Sequence, residues 1–443
     1  MFIPEEFKNR MQLMLGSEYN AFIKSFSTID YHMGLRVARP EARELVLSVL
    51  DQAEPVPWCP DGYYTDKTRL SGVHPYHLAG LIYFQEPSAM SAVEALDIHP
   101  GDHVLDLCAA PGGKATQAGA KLRGQGILVA NEIVPKRAQI LAENIERCGI
   151  SNCVVTNENP ERLTSAFPGY FNKIIVDAPC SGEGMFRKEP RAAEAWSTAH
   201  TISCAIRQKH ILDCAVRMLC PGGTFVYSTC TFAPCENEGV VDYLLSAYPT
   251  LSLAETGLSG LSSGNSAWAN VSRDMSRTRR VFPHRQKGEG HFVALLKKSG
   301  QIPPKMASHI NPNEPPADYR IFEKQFLNIR FSGNFQLFGD HLYLVLADIQ
   351  RLKVIRGGLY LGICKKGRFE PAHALALACK KSEIKNTLDF SADDSHLAAF
   401  LHGETIPCGQ TGWTAVCVDG FPVGWGKASG GVLKNHIPKA LRI

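Results

Sequence analysis

Two thiols and a carboxylate stand where two apolar segments give out. Asp177-Ala-Pro-Cys180 ends the segment that starts at Lys173, and Ser228-Thr-Cys230 ends the one that starts at Thr224. Ile174 to Asp177 carries apolar side chains on both faces, as a buried strand does. The Pro/Gly loop behind it, through Gly184 to Arg187, cannot continue a strand. Ligands of open α/β sheets bind beyond the carboxyl ends of strands, so both loops are expected at one sheet edge. Beside a methyl donor, such a set suits methylation of a pyrimidine at C5. That carbon attacks a methyl group only after a thiolate adds to C6 and makes an enamine. A second thiol can then assist release as a base. Asp177 is placed to hydrogen-bond the base edge at N3/N4. The residues alone leave open which thiol attacks. Cys230 is expected shortly before a helix N-terminus, near Cys235, an environment that lowers a thiol pKa.

The methyl donor is read from Cys108-Ala109-Ala110-Pro111-Gly112-Gly113-Lys114, a tight loop between the strand Val104–Leu107 and a helix from Ala115. Free backbone N–H groups at a helix start suit a nucleotide-type ligand. A phosphate-binding Gly-x4-Gly-Lys-Ser/Thr loop is excluded, because Cys108 stands at the first Gly and Ala115 at the hydroxyl. The dinucleotide pattern Gly-x-Gly-x-x-Gly does not fit either. S-adenosylmethionine remains, with Glu132 at the end of the next strand placed for ribose hydroxyls. Methylation of an exocyclic amine is the rival chemistry. It uses an Asp/Asn-Pro-Pro-aromatic loop in which a thiol has no part, and Cys180 stands at the aromatic position.

Strands and helices must alternate to hold these loops. The strands Val104–Leu107, Ile127–Asn131, one beginning at Val154-Val155, Ile174–Asp177 and Thr224–Ser228 are separated by helices Ala115–Leu122, Pro135–Cys148 and a long one, Ala192–Leu219. That helix is expected to stop at Cys220-Pro-Gly-Gly223. The pattern predicts a parallel, doubly wound sheet. Residues 1–84 read as a small α/β domain, with a helix at Pro4–Leu15. Residues 85–299 form the sheet domain, 300–317 a Pro-rich linker, and 318–443 a mainly β region. Asp419-Gly420 is expected at a hairpin bend there.

A chain of 443 residues with net charge +4 neither demands nor excludes nucleic acid. Its 14 cysteines include no Cys-x-x-Cys pair, which argues against a zinc ribbon. Reduced, mostly buried thiols in a cytoplasmic protein are expected, Cys108, Cys204, Cys214 and Cys220 among them. His74 and His77 lack further ligands nearby, and no metal is expected. Neither a secretory signal nor a membrane span is expected.

These residues resemble the NOP/Sun (RsmB-related) family of RNA 5-methylcytosine methyltransferases. The matching segments are Gln85–Met90, Cys108–Lys114, Asp177–Gly184, Tyr227–Thr231 and Gly288–Phe292. The tail, with Gly424-Trp-Gly-Lys427 and Lys434-Asn-His436, resembles the PUA-like end of the RsmF group, which methylates small-subunit ribosomal RNA. The resemblance implies a class I S-adenosylmethionine-dependent methyltransferase fold with an N-terminal RNA-binding α/β domain and a C-terminal PUA-like domain. It implies Cys230 as nucleophile and Cys180 as the thiol needed for release. It puts the cofactor on Cys108 to Lys114, Glu132, Asp177 and Asn159, where the family usually has Asp; Glu158 is the alternative at that place. The expected partner is 16S rRNA, either free or within the small ribosomal subunit, for a protein expected to be a monomer. A tRNA cytosine methyltransferase and a non-catalytic assembly factor are the alternative readings.

Arg273, Arg277, Arg279, Arg280, Arg285 and Lys287 form the densest basic run, with only Asp274 interleaved, and are expected to track phosphates. Lys427, Lys434, Lys439 and Arg442 are a second candidate track. Arg187 and Lys188 are expected to grip the backbone around the target nucleotide, whose base must be unstacked to reach a thiol.

Overall fold

The computed structural model describes residues 2–26, 32–50, 53–65, 70–303, 311–347 and 351–443. The expected linker falls partly on 304–310, outside the described residues.

Five parallel strands carry the site, in the order Leu219–Thr229, Phe171–Asp177, His103–Asp106, Ile127–Asn131, Cys153–Thr156. The chain order reverses between Phe171–Asp177 and His103–Asp106, and a crevice opens beyond the strand ends at such a switch point. Asp177 lies opposite Ser228, and Asp106 opposite Ile175. Both thiol loops therefore leave the same edge of the sheet.

Apolar side chains from alternate positions fill both faces. Leu105, Ile174, Val176, Phe225 and Tyr227 pack on one side against the helices Thr198–Met218 and Glu238–Ala247. Val104, Leu128, Ile175 and Val226 pack on the other against Gly113–Leu122 and Pro135–Arg147. In the latter helix Ala138, Leu141 and Ile145 are the buried positions, the spacing of one helical face. Each large apolar side chain of this core, fully buried, stabilises by about 1.5–3 kcal/mol.

The edges of the sheet are antiparallel. His291–Lys298 pairs with Leu219–Thr229, and carries Leu251–Ala254 and Arg279–Val281 beside it. On the far edge Val354–Arg356, from the C-terminal region, pairs with Cys153–Thr156. A strand joining from so far along the chain has no local signal.

Two expectations are corrected. The long helix is two, Pro190–Ala195 and Thr198–Met218. The break follows from Trp196, whose indole turns inward to Glu183 (2.8 Å), and from Ser197, whose hydroxyl caps the second helix by accepting the His200 N–H. The second of these helices ends within a residue of the expected place, at Met218, but the strand expected from Thr224 already begins at Leu219, so Cys220-Pro-Gly-Gly223 lies inside it, where the register against Phe171–Asp177 shifts. The helix Pro160–Ala166, capped by Asn159, has no counterpart among the expected elements.

The N-terminal helices Glu5–Leu15 and Tyr19–Ser25 bury Phe7, Phe22 and Phe26 against Phe186, Trp196, Phe232 and Phe282. Phe186 and Phe232 follow the two thiol loops, so this aromatic cluster braces the site from below. Met33–Val37 centres a three-stranded antiparallel sheet with Gly62–Thr65 and Ile82–Phe84. Its core is shared with Leu397, Phe400, Val416 and Leu433 of the C-terminal region. That region holds a four-stranded antiparallel sheet and a five-stranded one. In the latter, Gly412–Val418 and Phe421–Ser429 form the expected hairpin, with Asp419 and Gly420 at positive φ (46° and 88°).

Candidate active site

The sulfur atoms of Cys180 and Cys230 are 3.3 Å apart, both half-buried. They meet because each loop leaves its strand at the same level. The Gly184 N–H donates to the Cys230 carbonyl (2.8 Å) and locks the loops together. The hydrogen bond to Cys230, and then burial, push the Cys180 thiol well above its usual range. The helix expected near Cys235 begins at Glu238, so the lowering expected from its N-terminus loses its basis. Sequence spacing set the helix start too early, because Cys235 to Asn237 form a turn.

Asp177 lies beside the thiols. One carboxylate oxygen accepts from Lys114 Nζ (2.7 Å), the other from the Ser228 hydroxyl (2.8 Å). Burial alone would raise its pKa; the Lys114 ammonium, then His291, outweigh burial and hold it below the usual carboxylate range. His291 is fully buried, and burial lowers it to about 4, so its ring is neutral at pH 7. Asp106 is fully buried too, and neither of its carboxylate oxygens reaches hydrogen-bond geometry. Burial pushes it up to about 8, against the pull of Lys114.

A cleft of about 800 Å³ runs from the thiols along the strand ends, within the range of small-ligand sites. Asp177, Cys180 and Cys230 line it, as do Cys108, Ala110, Glu132 and Asn159. Cys108 is only half-buried, unlike Cys204, Cys214 and Cys220, which are buried as expected. Ala109, Pro111, Gly112, Gly113 and Lys114 lie behind the lining. Gly112, at φ 119°, turns the chain into the helix, and Lys114 is committed to Asp177. Glu132 accepts the Val134 N–H (2.9 Å) and pairs with Arg137 (3.3 Å). Glu158 is turned away, accepting the Lys353 N–H (2.7 Å), while Asn159 faces the cleft. The donor set fits S-adenosylmethionine: a buried carboxylate for ribose hydroxyls, an amide beyond it, and apolar Ile133, Val134 and Pro160 for a planar base.

Four residues hold the loops; the sequence assigns none of them a role, although Glu183 and Tyr227 lie in the matching segments Asp177–Gly184 and Tyr227–Thr231. Glu183 is fully buried and accepts from Arg10 (2.6 Å), Trp196 Nε1 (2.8 Å) and the Phe232 N–H (3.1 Å). Gln208, Tyr227 and Glu236 lie beneath Cys180. The one cue for Glu236 is an acid pair around Asn237 in an otherwise apolar stretch.

The basic run is not a free phosphate track. Arg273 pairs with Asp242 (2.7 Å), Arg277 and Arg279 with Glu255 (3.0 and 3.5 Å), Arg285 with Glu18, and Lys287 with Glu54 (2.6 Å). Arg280 is 1% exposed and grips Glu238 through two nitrogens. The acids missing from the run come from distant segments. Arg187 is likewise turned inward, 7% exposed and 2.7 Å from Glu289, which removes it as a grip on the nucleotide backbone. Lys188 is half-buried. The tail differs. Lys427 and Lys434 face each other across two strands, exposed, with Lys427 Nζ 5.5 Å above the Trp413 ring. Among the described residues no carboxylate lies within ion-pair distance of Lys427, Lys434 or Lys439. Arg442 donates to the Ile437 carbonyl (3.1 Å). His74 caps a short helix by accepting the Tyr76 N–H, and the His77 ring lies 5.7 Å from that of Phe84.

Comparison with known proteins follows this anatomy. Residues 93–297 match the family described as 16S rRNA methyltransferase RsmB/F, and residues 3–87 the N-terminal domain of 16S rRNA methyltransferase RsmF. Residues 321–379 match the RsmF first C-terminal domain, and 387–443 the RsmF PUA domain. Ribosomal RNA small subunit methyltransferase F of Erwinia tasmaniensis is 31% identical, over 100% of this chain and 97% of its own. That of Enterobacter sp. strain 638 is 32% identical, over 100% and 96%. A solved methyltransferase homolog from Pyrococcus horikoshii is 27% identical, with a TM-score of 0.59 over 67% of this chain and 95% of its own. No helix among the described residues is long and apolar enough to cross a membrane. Similar along its whole length to such relatives, the chain belongs to the 16S rRNA methyltransferase RsmF family and is an S-adenosylmethionine-dependent RNA methyltransferase.

Proposed function

We propose that the chain methylates C5 of a cytosine in 16S rRNA through a covalent bond between Cys230 and C6 of the base. The observation that supports this reading is the pair of sulfurs 3.3 Å apart beside Asp177, in one cleft. Cys230 adds as thiolate to C6, and C5 gains the electron density of an enamine. Asp177, anionic and held by Lys114 and Ser228, hydrogen-bonds the N3/N4 edge and favours a proton on N3. S-adenosylmethionine, when bound, supplies the methyl group. Glu132 would hold its ribose hydroxyls and Asn159 its adenine side, over the backbone of Cys108 to Lys114. Once Cys230 is bonded to carbon its hold on the Cys180 proton ends, and Cys180 gives that proton to solvent; after C5 carries the methyl group the Cys180 thiolate takes the C5 proton, the C6–S bond breaks, and Cys230 leaves as thiolate. The thiols are half-buried within the cleft, so a cytosine must be unstacked to reach them.

The substrate reading rests on relatives named ribosomal RNA small subunit methyltransferase F. In this reading the chain acts as a monomer in the cytoplasm, on RNA within the small subunit. The divisions near residues 85, 300 and 318 separate an RNA-binding unit, the catalytic unit and the C-terminal region. Cys230→Ala tests the assignment. Transfer of labelled methyl to rRNA should fall on the order of 10⁴-fold, the scale of losing a nucleophile. Full transfer by this variant would end the proposal.

A further inference from the structure

The peptide groups on either side of Cys180 are held by side chains that do not reach the cleft. Gln208, fully buried, directs both Nε2 hydrogens toward this loop, donating to the Pro179 carbonyl (3.1 Å) and to Glu236 (2.8 Å). Glu236, also fully buried, accepts the Ser181 N–H (3.0 Å) and the Ser181 hydroxyl. One amide and one carboxylate thus grip residues 179 and 181, with the thiol between them. The Tyr227 hydroxyl lies 3.0 Å from Gln208 Oε1 and 2.5 Å from the Glu236 backbone carbonyl, and so ties both residues into one buried network. Ser181 also meets the Thr231 hydroxyl (2.8 Å), next to Cys230, so the grip spans both thiol loops.

The charges around the two sulfurs are unequal. The Glu236 carboxylate acts on Cys180. The Lys114 ammonium, on the other side, interacts with Cys230. An anion beside Cys180 disfavours its thiolate.

We infer that Glu236 and Gln208 form a positioning clamp that aims Cys180 at Cys230 and keeps the proton of the pair on Cys180. Starting from two thiols, the Cys230 proton goes to solvent, the S–H bond of Cys180 persists, and no other bond changes. The clamp rests on the reading above, in which Cys230 attacks, and it explains why Cys180 does not. Burial, foremost, raises Glu236 to about 7, with Glu183 adding to it. The groups facing Glu236 are Ser181, Gln208, Glu183, Tyr227, Cys180, Cys204 and Cys235. Its charge therefore grows as pH rises through neutrality, and the bias toward a protonated Cys180 grows with it.

The test uses the full chain without RNA. Iodoacetamide is applied over a pH series, and alkylation of each cysteine is followed by peptide mass spectrometry. In the unaltered protein Cys230 should react well before Cys180 near pH 7–8. Glu236→Gln, of equal size and without charge, should raise the Cys180 rate relative to Cys230 by roughly tenfold, the equivalent of about one pKa unit. Cys214 and Cys220, fully buried, should stay unreactive and so report an intact fold. If Glu236→Gln exposes them, Ser181→Ala decides the matter. It leaves the carboxylate one donor short and should move the ratio the same way by a smaller factor. Equal rates in the unaltered protein, or an unmoved ratio in a variant that still protects Cys214, would overturn the clamp. Because no RNA is present, this readout is independent of the methylation assay, and either reading can fall without the other.

Discussion

The carboxyl edge of the sheet and the basic run at Arg273–Lys287 are both conspicuous in the sequence, and only at the first are the residues arranged in space as the sequence suggests. Asp177, Cys180 and Cys230 come together because parallel strands deliver their ends to one edge. A local pattern there fixes a spatial outcome. The charge run has no such rule behind it. Its partners, Glu18, Glu54, Asp242 and Glu255, lie in other segments, and each cancels a charge that looks free along the chain. Motifs tied to chain topology carry over into space; charge counts along the chain do not.

The largest effect that can break this comparison lies at the edge. Cys180→Ala should leave the attack of Cys230 intact and stall release, cutting turnover about 10²–10⁴-fold, the scale of a lost general base. A denaturation-resistant protein–RNA adduct should accumulate on gels. Normal turnover without an adduct would remove Cys180 from the release step.

In the basic run, the strongest expected effect is on folding rather than on RNA. Arg280 is buried against Glu238, and its guanidinium lies 5.2 Å from the Trp268 ring and 5.4 Å from that of Phe292. Arg280→Ala leaves a buried carboxylate alone and should cost about 3–5 kcal/mol in urea unfolding. Arg277→Ala, at an exposed pair, should cost under about 1 kcal/mol. Equal costs would mean that burial does not separate the members of the run.

Asp106 sharpens the picture of the edge. Its folded pKa, about 8, lies above the unfolded value near 4. The folded protein then keeps a proton that the unfolded chain has released. Its contribution is therefore most favourable below pH 4 and is lost as pH rises toward 8. Asp106→Asn should flatten the stability profile of the cofactor-free protein between pH 5 and 8, by on the order of a few kcal/mol. Parallel profiles for the two proteins would show that this carboxyl is already ionised when folded.

The parallel core is legible because Ile127–Asn131 and Ile174–Asp177 are unbroken apolar runs bounded by Gly, Pro and Asn. The antiparallel edges are not: Arg279–Val281 and Val354–Arg356 are short, and what defines them is a neighbour far along the chain. At the site, the strand-end residues can be read, and so can Glu132 and Asn159. The support beneath them cannot. Gln208 sits among the buried positions of Thr198–Met218, and only the packing reveals that its amide reaches Pro179 rather than solvent. The break at Trp196-Ser197 has a visible cue, since Ser197 is a good helix cap, but the pull of Glu183 on the indole has none.

The last contrast is between two groups of cations. Lys427 and Lys434 are exposed without a carboxylate partner among the described residues, whereas Arg273 and Arg277 have theirs at 2.7 and 3.0 Å. A cation that neutralises an RNA phosphate releases counterions, and each such contact steepens the salt dependence of binding by about 0.7–0.9 in the log–log slope. Arg273 or Arg277 must first give up its acid, which returns a negative charge to the surface and cancels most of the gain. Binding of a 16S rRNA fragment, followed by fluorescence anisotropy over roughly 50 to 200 mM salt, separates the two. Lys427→Gln with Lys434→Gln should reduce the slope by about 1.5, and Arg273→Gln with Arg277→Gln by less than about half of that. A larger reduction from the arginine pair would mean that RNA displaces the acids, and the run would regain the role its sequence suggests.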